Sequence, residues 1–398
     1  MEILINIFLL LLAWIGVIVW LFMYVVHLIA IYCAKTNMFK RRTICQENIS
    51  ETTGVSIIKP LSSTNENIMN NLETLFQLDY PLYEILICLQ YENNEIISMI
   101  HELMDRYPNV DCQLFAGASE LGVNPKINNM LQAYPHAKYS HIWICDSNIC
   151  ASRYSLTELA SHIAPDVALV HQLPYIDCDA SVAGCLEKTY FGTQHARWYL
   201  AIDCLGFCCA NGMSWLVNKN LLEEVGGLLA FSDYIAEDFF ISMALFDKGY
   251  RVVLSTEPAI QTPKEYSISM FINRMARWTK LRLNMIPSAK FEPFTECYLI
   301  GAVGALSLYH IYGYSVVQVF LVHVSIWFVL DQVLLTILEQ SYSRLPALWK
   351  RLVAWLIRES ITYIVMFQAI LVRSVSWRAG KYTLTASGRA EVVQEKQQ

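Results

Sequence analysis

An uncharged apolar stretch opens the chain and limits what it can fold into. From Ile3 to Ala34 it contains no Lys, Arg, Asp or Glu, and about 20 apolar residues are enough to cross the roughly 30 Å hydrocarbon core of a bilayer. A cleaved signal peptide would start with basic residues and have a shorter apolar core, whereas the first Lys or Arg here is Lys35. The sequence therefore predicts an uncleaved transmembrane anchor over residues 1–34.

The charges that flank the anchor predict its orientation. Glu2 precedes it, whereas the linker over residues 35–53 begins with a basic cluster made of Lys35, Lys40, Arg41 and Arg42. Because Lys and Arg concentrate on the cytosolic side of membrane segments, the linker and the region after it are predicted to be cytosolic. The twelve cysteines are scattered and form no CxxC pair, which agrees with a reducing compartment.

The overall composition points to a membrane protein and away from nucleic acid. Only 16% of the 398 residues are charged, below the roughly 25% typical of soluble proteins. The formal net charge of −6 provides no basic surface for a nucleic-acid backbone. We therefore expect a lipid bilayer, and no nucleic acid, among the partners.

The middle of the chain, residues 54–290, alternates between strand and helix patterns. Short buried-strand patterns such as GVSIIKP, YEILICLQ and HIWICDSN are separated by helical stretches such as NENIMNNLETLFQL. This alternation is typical of an α/β domain with a mainly parallel sheet flanked by helices. Ligands of such sheets bind at the carboxyl ends of the strands, so acidic residues at those ends are the first candidates for a site.

Apolar segments return after this domain, over residues 291–373. Residues 298–338 carry one charged residue, Asp331, and are long enough for two membrane segments divided near YGYS. Residues 352–372 provide a further apolar stretch. The sequence therefore predicts two or three membrane segments in this region.

Two charges lie inside the last of these segments. Arg358 and Glu359 would be costly within a membrane unless they are paired or face protein. We therefore expect this segment to lie at the membrane interface or to be buried against the catalytic domain. The basic residues in and before the tail, residues 374–398, favour a cytosolic tail, which requires an even number of crossings between the domain and the tail.

Three acidic residues are candidates for a site in the α/β domain. Asp146 closes the strand pattern HIWICDSN, where a carboxylate could hold a hard cation bridging two phosphates; a simple turn residue is the alternative. Glu237 and Asp238 open the helical pattern AEDFFISMALFDKGY. Acids in a first helical turn also act as partners of the helix dipole, so position alone does not decide between the two roles.

A later helical pattern carries a basic and aromatic face. Arg274, Arg277 and Trp278 stand at i, i+3 and i+4 in SISMFINRMARWTKLRLNMIP, which places them on one side of a helix. Two guanidinium groups on a shared face suit a phosphate-bearing ligand, because Arg can bind phosphate oxygens in a bidentate manner. The alternative is a basic anchor that lies in the membrane interface without taking part in chemistry.

These features, in this order, resemble the GT-A-fold glycosyltransferases with a (Q/R)xxRW motif before carboxyl-terminal membrane helices. Within that group the chain is similar to the ceramide glucosyltransferases, and the similarity runs from the first membrane segment to about residue 385. The blocks that carry it include GVNPKINNM, IWICDS, LVHQLPY, YFGTQHARWY, GLLAFSDYIAEDFF, SISMFINRMARWTKLRLNM and WLIRES.

The resemblance implies a GT-A-like fold and transfer of glucose from UDP-glucose to ceramide, with inversion, at the cytosolic face of the Golgi membrane. An inverting transfer needs a carboxylate that takes the proton of the attacking hydroxyl. The resemblance gives this role to Asp238, with Glu237 shaping the site beside it. Asp146 would hold a divalent cation, Mg²⁺ or Mn²⁺, against the diphosphate of the donor.

Other site residues follow from the same resemblance. Arg277 and Trp278, with Arg274 on the same face, would bind the departing UDP or close over the acceptor. His195 in GTQHARW corresponds to a position of the family's active site, and Lys126 in NPKINN is expected to contact a phosphate.

The chain departs from the family at the end of the second predicted strand. Where the family has an Asp after Cys-x-Gln that is expected to contact the uridine, CLQYENN places Tyr91, followed by Glu92. Tyr91 can stack on uracil or donate its hydroxyl, and Glu92 can turn into the vacant role, but neither reproduces a short carboxylate at a strand end. We therefore expect weaker donor binding than in a relative with the Asp.

Two other functions stay open on the sequence. One is a catalytically impaired paralogue that binds ceramide or a partner enzyme, as the residue at 91 allows. The other is a processive polysaccharide synthase, although such enzymes need more membrane helices to thread a polymer. A homo-oligomer is also compatible with the sequence.

Overall fold

The structure is a computed structural model that describes most of the chain. The described residues are 1–39, 53–61, 67–177, 181–208, 210–262, 267–339, 345–372, 374–377, 380–385 and 387–393. Most of the predicted basic linker, including Lys40, Arg41 and Arg42, lies outside these ranges.

Helices and strands alternate through the first part of the chain, and long helices follow. The helices are α1 (Glu2–Asn37), α2 (Ile68–Phe76), α3 (Asn94–Arg106), α4 (Pro125–Leu131), α5 (Ser155–Ala160), α6 (Val182–Tyr190), α7 (Ala196–Cys204), α8 (Lys219–Glu223), α9 (Glu237–Asp247), α10 (Ile268–Met285), α11 (Cys297–Tyr312), α12 (Val316–Glu339) and α13 (Leu348–Leu371). The strands are β1 (Val55–Leu61), β2 (Tyr83–Leu89), β3 (Asp111–Ala116), β4 (His141–Cys145), β5 (Ile149–Cys150), β6 (Val167–His171), β7 (Pro174–Ile176), β8 (Ser214–Asn218), β9 (Arg251–Leu254), β10 (Ala259–Gln261), β11 (Val375–Trp377), β12 (Gly380–Leu384) and β13 (Ala390–Val392).

The chain forms two compact units, and each unit is built from three separate stretches. The helical unit contains the described residues of 1–36, 179–205 and 267–373, and the α/β unit contains those of 37–178, 206–266 and 374–398. These boundaries differ from the continuous catalytic domain predicted over 54–290. The α6–α7 region and α10 belong to the helical unit, because their apolar faces pack against long helices, α6 and α10 against α13.

A seven-stranded sheet forms the centre of the α/β unit. Its strand order is β3-β2-β1-β4-β8-β6-β9, and every neighbouring pair is parallel except those made by β8, which is antiparallel to β4 and β6. Successive strand residues point to opposite faces. In β1, Ile57 joins the apolar core that covers α2 and α3, whereas Ile58 joins the core that covers α4 and α9. The predicted α/β, GT-A-like class with a mainly parallel sheet flanked by helices is confirmed.

A small sheet after the last long helix also belongs to the α/β unit. Strands β11, β12 and β13 form an antiparallel meander, and the backbone N–H of Ala390 donates to the carbonyl of Asp233 at 2.8 Å. Gly388 has a φ of +82°, and a Cβ there would lie 2.2 Å from Cζ of Phe240. The predicted tail therefore contains an ordered sheet that packs beside the loop leading into α9.

Helices α1, α11 and α12 pack together in the helical unit. Nδ1 of His323 on α12 contacts Nε1 of Trp20 at 3.0 Å and the hydroxyl of Tyr24 at 2.6 Å, both on α1. A Cβ on Gly16 of α1 would lie 2.3 Å from Oγ of Ser307 on α11, so the glycine permits the close approach of these two helices. Among the described residues, α1, α12 and α13 are each long and apolar enough to span a membrane. The segment Ser288–Thr295 together with α11, bent by 71°, is a further candidate.

A cluster of buried charges links five parts of this unit. Its members have at most 1% of their surface exposed and are His27, Arg197, Glu296, Asp331, Arg358 and Glu359. Arg197 donates to Glu296 at 2.6 Å and to Asp331 at 3.1 Å. Arg358 contacts Asp331 and Glu359, each at 2.8 Å. The charges of α13 are thus paired inside the helical unit, which explains how an apolar segment carries them.

The contacts of α13 remain at one end of the α11–α12 hairpin. Arg351 contacts Gln332 at 2.7 Å, and twelve residues later the hydroxyl of Tyr363 accepts from the N–H of Leu299 at 3.3 Å. Twelve helical residues advance by about 18 Å along a helix axis. The two partners, Gln332 and Leu299, nevertheless lie within one helical turn of Asp331 and Glu296, the residues that bind Arg358. Helix α13 therefore runs across the end of the hairpin rather than along it.

Candidate active site

Four predicted site residues of the α/β unit converge at one edge of the large sheet. Asp146 directly follows β4, Lys126 lies in the first turn of α4, and Glu237 and Asp238 are the first two residues of α9. Nζ of Lys126 lies 2.8 Å from Oδ1 of Asp146 and 3.0 Å from Oε1 of Glu237. The same ammonium donates to the carbonyl of Gly212 at 2.7 Å. The structure thus brings acids that are about ninety residues apart in sequence to a single buried cation.

Asn124 holds this arrangement together as the N-cap of α4. Its Oδ1 accepts from the backbone N–H groups of Lys126 and Ile127 at 2.8 and 3.2 Å, as N-cap side chains commonly do. Its Nδ2 donates to Oε2 of Glu237 at 2.9 Å and to the carbonyl of Tyr234 at 2.6 Å. One side chain therefore fixes the start of α4 and the start of α9 relative to each other.

Asp238 is held by the turn that precedes β8. The backbone N–H of Gly212 donates to Oδ2 of Asp238, and a Cβ at position 212 would lie 2.8 Å from that oxygen. Removal from water, and next the negative charge of Glu237, raise the pKa of Asp238 to about 7, although the charge of Lys126 acts to lower it. A carboxylate with a pKa near neutrality is suited to act as a general base.

Lys126 is charged, and its donors are in use. Burial alone would lower the pKa of its ammonium, but the charges of Asp146 and Glu237 outweigh this and raise it. A lysine ammonium has three donors, and Asp146, Glu237 and the carbonyl of Gly212 account for three. A direct contact of Lys126 with a phosphate would require release of one of these partners, so the geometry assigns it first to positioning the two carboxylates.

Asp146 provides a limited site for a divalent cation. Its side chain is 34% exposed, and one of its oxygens is bonded to Lys126. Within the described residues, no group of three or more His, Cys, Asp or Glu side chains could hold a metal ion. Mg²⁺ in nucleotide-dependent enzymes is commonly bound by one or two carboxylates together with substrate phosphates. The residues present therefore fit a cation that receives most of its ligands from a bound diphosphate.

Tyr91 and Glu92 lie at the same edge but away from the acidic cluster. Both are exposed, Tyr91 at 71% of its surface, and they follow β2, which is separated from β4 by β1 alone. Because neighbouring strands are about 4.8 Å apart, the ends of β2 and β4 are roughly 10 Å apart along the edge. Tyr91 therefore follows a strand of the same sheet as Asp146, two strand positions away.

The remaining predicted site residues belong to the helical unit. His195 ends a π-helical segment, Phe191–His195, that joins α6 to α7, and such segments often occur at functional sites. Burial, and then the charges of Arg282 and Arg274, lower the pKa of His195 to about 3. Its Nε2 is buried and has no hydrogen-bonding partner among the residues that the structure describes. The imidazole is therefore neutral and could accept or donate one hydrogen bond.

Arg274, Arg277 and Trp278 lie on α10 with the predicted helical spacing. Arg274 forms an ion pair with Glu187 of α6, and its guanidinium lies 5.8 Å from the ring of Trp278. The Trp278 ring is in turn 6.2 Å from the ring of His195. The structure thus brings His195, Arg274 and Trp278 together, and the ion pair with Glu187 reduces the positive charge that Arg274 can offer to a phosphate. The roles of these residues in binding stay predictions.

Two residues of the site, Asn124 and Gly212, were not predicted from the sequence. Asn124 lies in the quoted motif GVNPKINNM, where an Asn before Pro and Lys is a recognisable N-cap signal. Gly212 lies in the Asn-Gly turn that precedes β8, and Asn-Gly is a strong turn signal. These signals predict local structure, whereas the contacts with Glu237 and Asp238 depend on the tertiary fold.

The family model described as Glycosyl transferase family 21 matches residues 22–390. This chain belongs to glycosyl transferase family 21. The resemblance predicted from the sequence motifs is thereby confirmed at the level of the family.

Named relatives of this family 21 chain come from nematodes and fungi. Ceramide glucosyltransferase 3 of Caenorhabditis elegans is 34% identical over 370 residues, which cover 92% of this chain and 80% of that protein. Ceramide glucosyltransferase 1 of the same organism is 33% identical over 371 residues, covering 92% and 78%. A ceramide glucosyltransferase of Komagataella phaffii is 27% identical, covering 85% and 84%.

Among solved structures, a mannosyltransferase from Pyrobaculum calidifontis, determined with GDP-Man and Mn²⁺, is similar to this family 21 chain with a TM-score of 0.49. The sequences are 16% identical, and the match covers 90% of this chain and 98% of that one.

Proposed function

We propose that this family 21 chain transfers glucose from UDP-glucose to the primary hydroxyl of ceramide and inverts the configuration at the anomeric carbon. The observation that carries the proposal is Asp238, a carboxylate with a pKa near 7 that is fixed by Gly212 beside the Lys126, Asp146 and Glu237 cluster. Membership of family 21 and relatives named as ceramide glucosyltransferases support the choice of substrates.

In the proposed reaction Asp238 is the general base. As the hydroxyl oxygen of ceramide attacks the anomeric carbon from the face opposite UDP, Oδ1 or Oδ2 of Asp238 takes the hydroxyl proton. The bond between the anomeric carbon and the diphosphate oxygen breaks, and its electron pair leaves with UDP. The transition state resembles an oxocarbenium ion, and Glu237 adds negative charge near this developing positive centre. Lys126 holds the carboxylates of Glu237 and Asp146 in position.

The remaining binding roles are those that the resemblance of the sequence motifs implies. Asp146 would hold Mg²⁺ or Mn²⁺ against the donor diphosphate, and the cation would supply positive charge to the leaving group. Tyr91, with Glu92 beside it, would contact the uracil end of the donor. Arg277 and Trp278 would bind UDP or the acceptor.

We also propose a topology for the Golgi membrane in which α1, α11 and α12 cross the bilayer and α13 lies at its cytosolic interface. The contacts of α13 at one end of the α11–α12 hairpin support this. Strands β11–β13 belong to the α/β unit, so the α/β unit and the tail must share one side of the membrane. Two crossings between them satisfy this requirement, whereas three would not. Ceramide stays in the bilayer because of its apolar chains, so an interfacial enzyme can reach its hydroxyl.

Cysteine labelling tests this topology in sealed Golgi vesicles. A Tyr314→Cys variant, in the connection between α11 and α12, should react with an impermeant maleimide only after the vesicles are opened. A Ser387→Cys variant, in the turn before β13, should react in intact vesicles. The unsubstituted chain corrects for its own cysteines, and protection of Ser387→Cys in intact vesicles would contradict the proposed topology.

The proposed activity is tested with purified full-length protein in lipid nanodiscs, labelled UDP-glucose and ceramide. Thin-layer chromatography should show a labelled glycolipid that requires ceramide. An insoluble labelled polymer would instead indicate a polysaccharide synthase, and ceramide binding without any product would indicate a catalytically silent paralogue.

The pKa of Asp238 predicts the acid limb of the pH profile. As the pH falls below about 7, Asp238 becomes protonated and kcat/KM for ceramide should fall about ten-fold per pH unit, since one protonation is involved. Because the charge of Lys126 lowers the pKa of Asp238, Lys126→Gln should move this limb to higher pH. Lys138→Gln, which removes a half-exposed lysine paired with Asp111, is the matched control and should leave the limb in place. An acid limb that stays fixed in Lys126→Gln would count against Asp238 as the titrating base.

Substitution of Tyr91 by Asp is expected to increase enzyme activity. Tyr91→Asp should raise kcat/KM for UDP-glucose, or create activity if the natural chain has none, because it restores a short carboxylate at the end of β2. Tyr91→Asn is the matched control, since asparagine has the same size as aspartate but carries no charge. A lower kcat/KM in Tyr91→Asp would instead make the tyrosine a working part of the nucleotide pocket.

A further inference from the structure

A turn in the tail is an ordered feature of the α/β unit that the proposed reaction does not use. It joins β12 to β13, and its described residues are Thr385, Ser387, Gly388 and Arg389, which together are called the tail turn. The N–H of Thr385 donates to the carbonyl of Arg389 at 2.8 Å, and the N–H of Gly388 donates to the carbonyl of Thr385 at 3.0 Å. Hydrogen bonds within the turn therefore define its shape.

Helix α9, which begins with the acidic pair, has no capping side chain of its own. The residue before it is Ala236, whose methyl group cannot accept from the first N–H groups of the helix as Ser, Thr, Asp or Asn would. The start of such a helix depends on contacts with other segments. Asn124 supplies one of these contacts, since its Nδ2 donates to Glu237 at 2.9 Å, and the tail turn supplies others.

The tail turn and β13 hold the loop before α9 by its backbone and by a side chain. The N–H of Ala390 donates to the carbonyl of Asp233 at 2.8 Å, and Arg389 forms an antiparallel bridge with Tyr234. The guanidinium of Arg389 lies 5.9 Å from the centre of the Tyr234 ring, and its Nε donates to the hydroxyl of that ring at 3.4 Å. A cation above an aromatic ring is attracted to it. Two consecutive loop residues are thus attached to the tail.

Gly388 lies against an aromatic side chain in the first turn of α9. It has a φ of +82°, and a Cβ there would lie 2.2 Å from Cζ and 2.8 Å from Cε2 of Phe240. The Phe240 ring is itself 4.2 Å from the ring of Tyr234. Any side chain at position 388 would have to displace the Phe240 ring. The tail turn therefore contacts two stacked rings, one before and one after the acidic pair in sequence.

The loop that the tail holds also positions the acidic pair. The carbonyl of Tyr234 accepts from Nδ2 of Asn124 at 2.6 Å, and the same Nδ2 donates to Oε2 of Glu237 at 2.9 Å. The N–H of Asn124 donates to the carbonyl of Ser232 at 2.7 Å. A shift of this loop would therefore disturb the hydrogen bonds that hold Glu237, and Asp238 is the next residue of the same helical turn.

We propose that the tail turn is a positioning element for the acidic pair, because it fixes the loop over residues 233–236 and the first turn of α9. The inference rests on the proposed function for the role of Asp238 as the base. Gly388 acts through Phe240, and Arg389 acts through Tyr234. Displacement of the tail turn would move the base relative to the acceptor hydroxyl, whereas the proposed donor residues follow other strands, β2 and β4.

The first test is Gly388→Ala in the full-length protein in nanodiscs. The added methyl group should push the Phe240 ring aside and lower kcat for glucosyl transfer about ten-fold or more, because a displacement of about 1 Å can cost about 100-fold in rate. Gly249→Ala is the matched control. Gly249 also has a positive φ, +91°, but a Cβ there would meet no atom of the described residues within 4 Å, so kcat should be unchanged. The dissociation constant of UDP-glucose, measured by calorimetry with Mn²⁺, should be unchanged in both variants.

A second substitution shows whether the effect passes through Phe240. Leucine lacks the outer ring atoms that a Cβ at position 388 would meet. In a Phe240→Leu background, Gly388→Ala should therefore lower kcat by less than about two-fold, because substitutions of residues in contact are not additive. Backbone strain at position 388 is the same in both backgrounds and cancels in the comparison.

Arg389 provides a variant that should fold normally, because its side chain is exposed. Arg389→Leu removes the cation from the Tyr234 ring and should lower kcat about three-fold, a small effect because such contacts are weak at exposed sites. Arg389→Lys keeps a cation and should restore most of the rate. Lys381→Leu, at an exposed position of β12 opposite Ser376, is the matched control and should keep its kcat.

Hydrogen–deuterium exchange separates this inference from the proposed function, because it does not require turnover. Amide hydrogens of residues 232–241 should exchange faster in Gly388→Ala than in Gly249→Ala, since loss of a tertiary contact permits local opening. Equal exchange in the two variants, or an unchanged kcat in folded Gly388→Ala, would overturn the positioning role even if glucosylceramide is formed. An equal loss of kcat with and without the Phe240 ring would also overturn it. Faster exchange without any glucosyl transfer by the unsubstituted chain would support the hold of the tail turn on this loop while contradicting the proposed enzyme activity.

Discussion

Replacing Asp238 by Asn is expected to lower the rate of glucosyl transfer to ceramide by roughly 10²–10⁴-fold, the usual contribution of an aligned general base. The amide keeps the size of the side chain and can still accept from the backbone N–H of Gly212, so the fold and UDP-glucose binding should be retained. It cannot take the proton of the attacking hydroxyl. Transfer is measured as glucosylceramide formed per minute, and donor binding by calorimetry.

Asp247→Asn is the matched control for this experiment. Asp247 is exposed at the other end of α9, so the same chemical change there should leave transfer unaffected. Near-full turnover by Asp238→Asn would remove Asp238 from the role of base. Loss of UDP-glucose binding together with turnover would point instead to a structural role for this carboxylate at the start of α9.

The second large effect concerns the buried charge cluster of the helical unit. Arg358→Met should lower the free energy of unfolding by about 3–5 kcal/mol, because it leaves the buried Glu359 without its cationic partner and removes one of the cations that bind Asp331. Asp331 and Glu359 each lie 2.8 Å from this guanidinium, and methionine keeps an unbranched apolar stem without the charge. The measurement is the thermal unfolding midpoint of purified protein in nanodiscs, together with the yield of folded protein.

Arg351→Met provides the comparison on the same helix. Arg351 contacts the neutral amide of Gln332, so its loss should cost no more than a single hydrogen bond to a charged group, roughly 1.5–3 kcal/mol. An unfolding midpoint that falls equally in both variants would mean that the cluster adds no stability beyond that of an ordinary contact.

Local patterns in the sequence predicted the sheet and the positions of its acids. Alternation of short apolar runs with helical runs predicted the parallel sheet, because each element must bury one face. Asp146 could be assigned to a strand end because HIWIC is apolar up to that residue. The adjacent acids Glu237 and Asp238 could be assigned to a first helical turn because the apolar run of α9 follows them.

Contacts between distant segments could not be predicted in this way. Nothing in the pattern around Lys126 indicates that its ammonium is shared by Asp146, Glu237 and the carbonyl of Gly212, because these partners are brought together only by the tertiary fold. The same holds for Arg358, whose partner Asp331 lies on another helix. The assignment of the α6–α7 region to the helical unit also depends on its packing partners. The sequence of this region is that of an amphipathic helix, which either unit could contain.

The three-stranded sheet β11–β13 has a consequence for the order in which the protein is made. Arg389 pairs with Tyr234 and Ala390 donates to Asp233, just before the acidic pair of α9. The ribosome synthesises these strands after every membrane helix, so the α/β unit begins to fold early but can be completed only after the helices have been inserted. A ribosome stalled before residue 375 should therefore hold a chain whose α/β unit is more sensitive to protease than that of the released protein, and equal sensitivity would contradict this order. An enzyme assembled in this way acquires its finished active site only once it is anchored beside its lipid substrate.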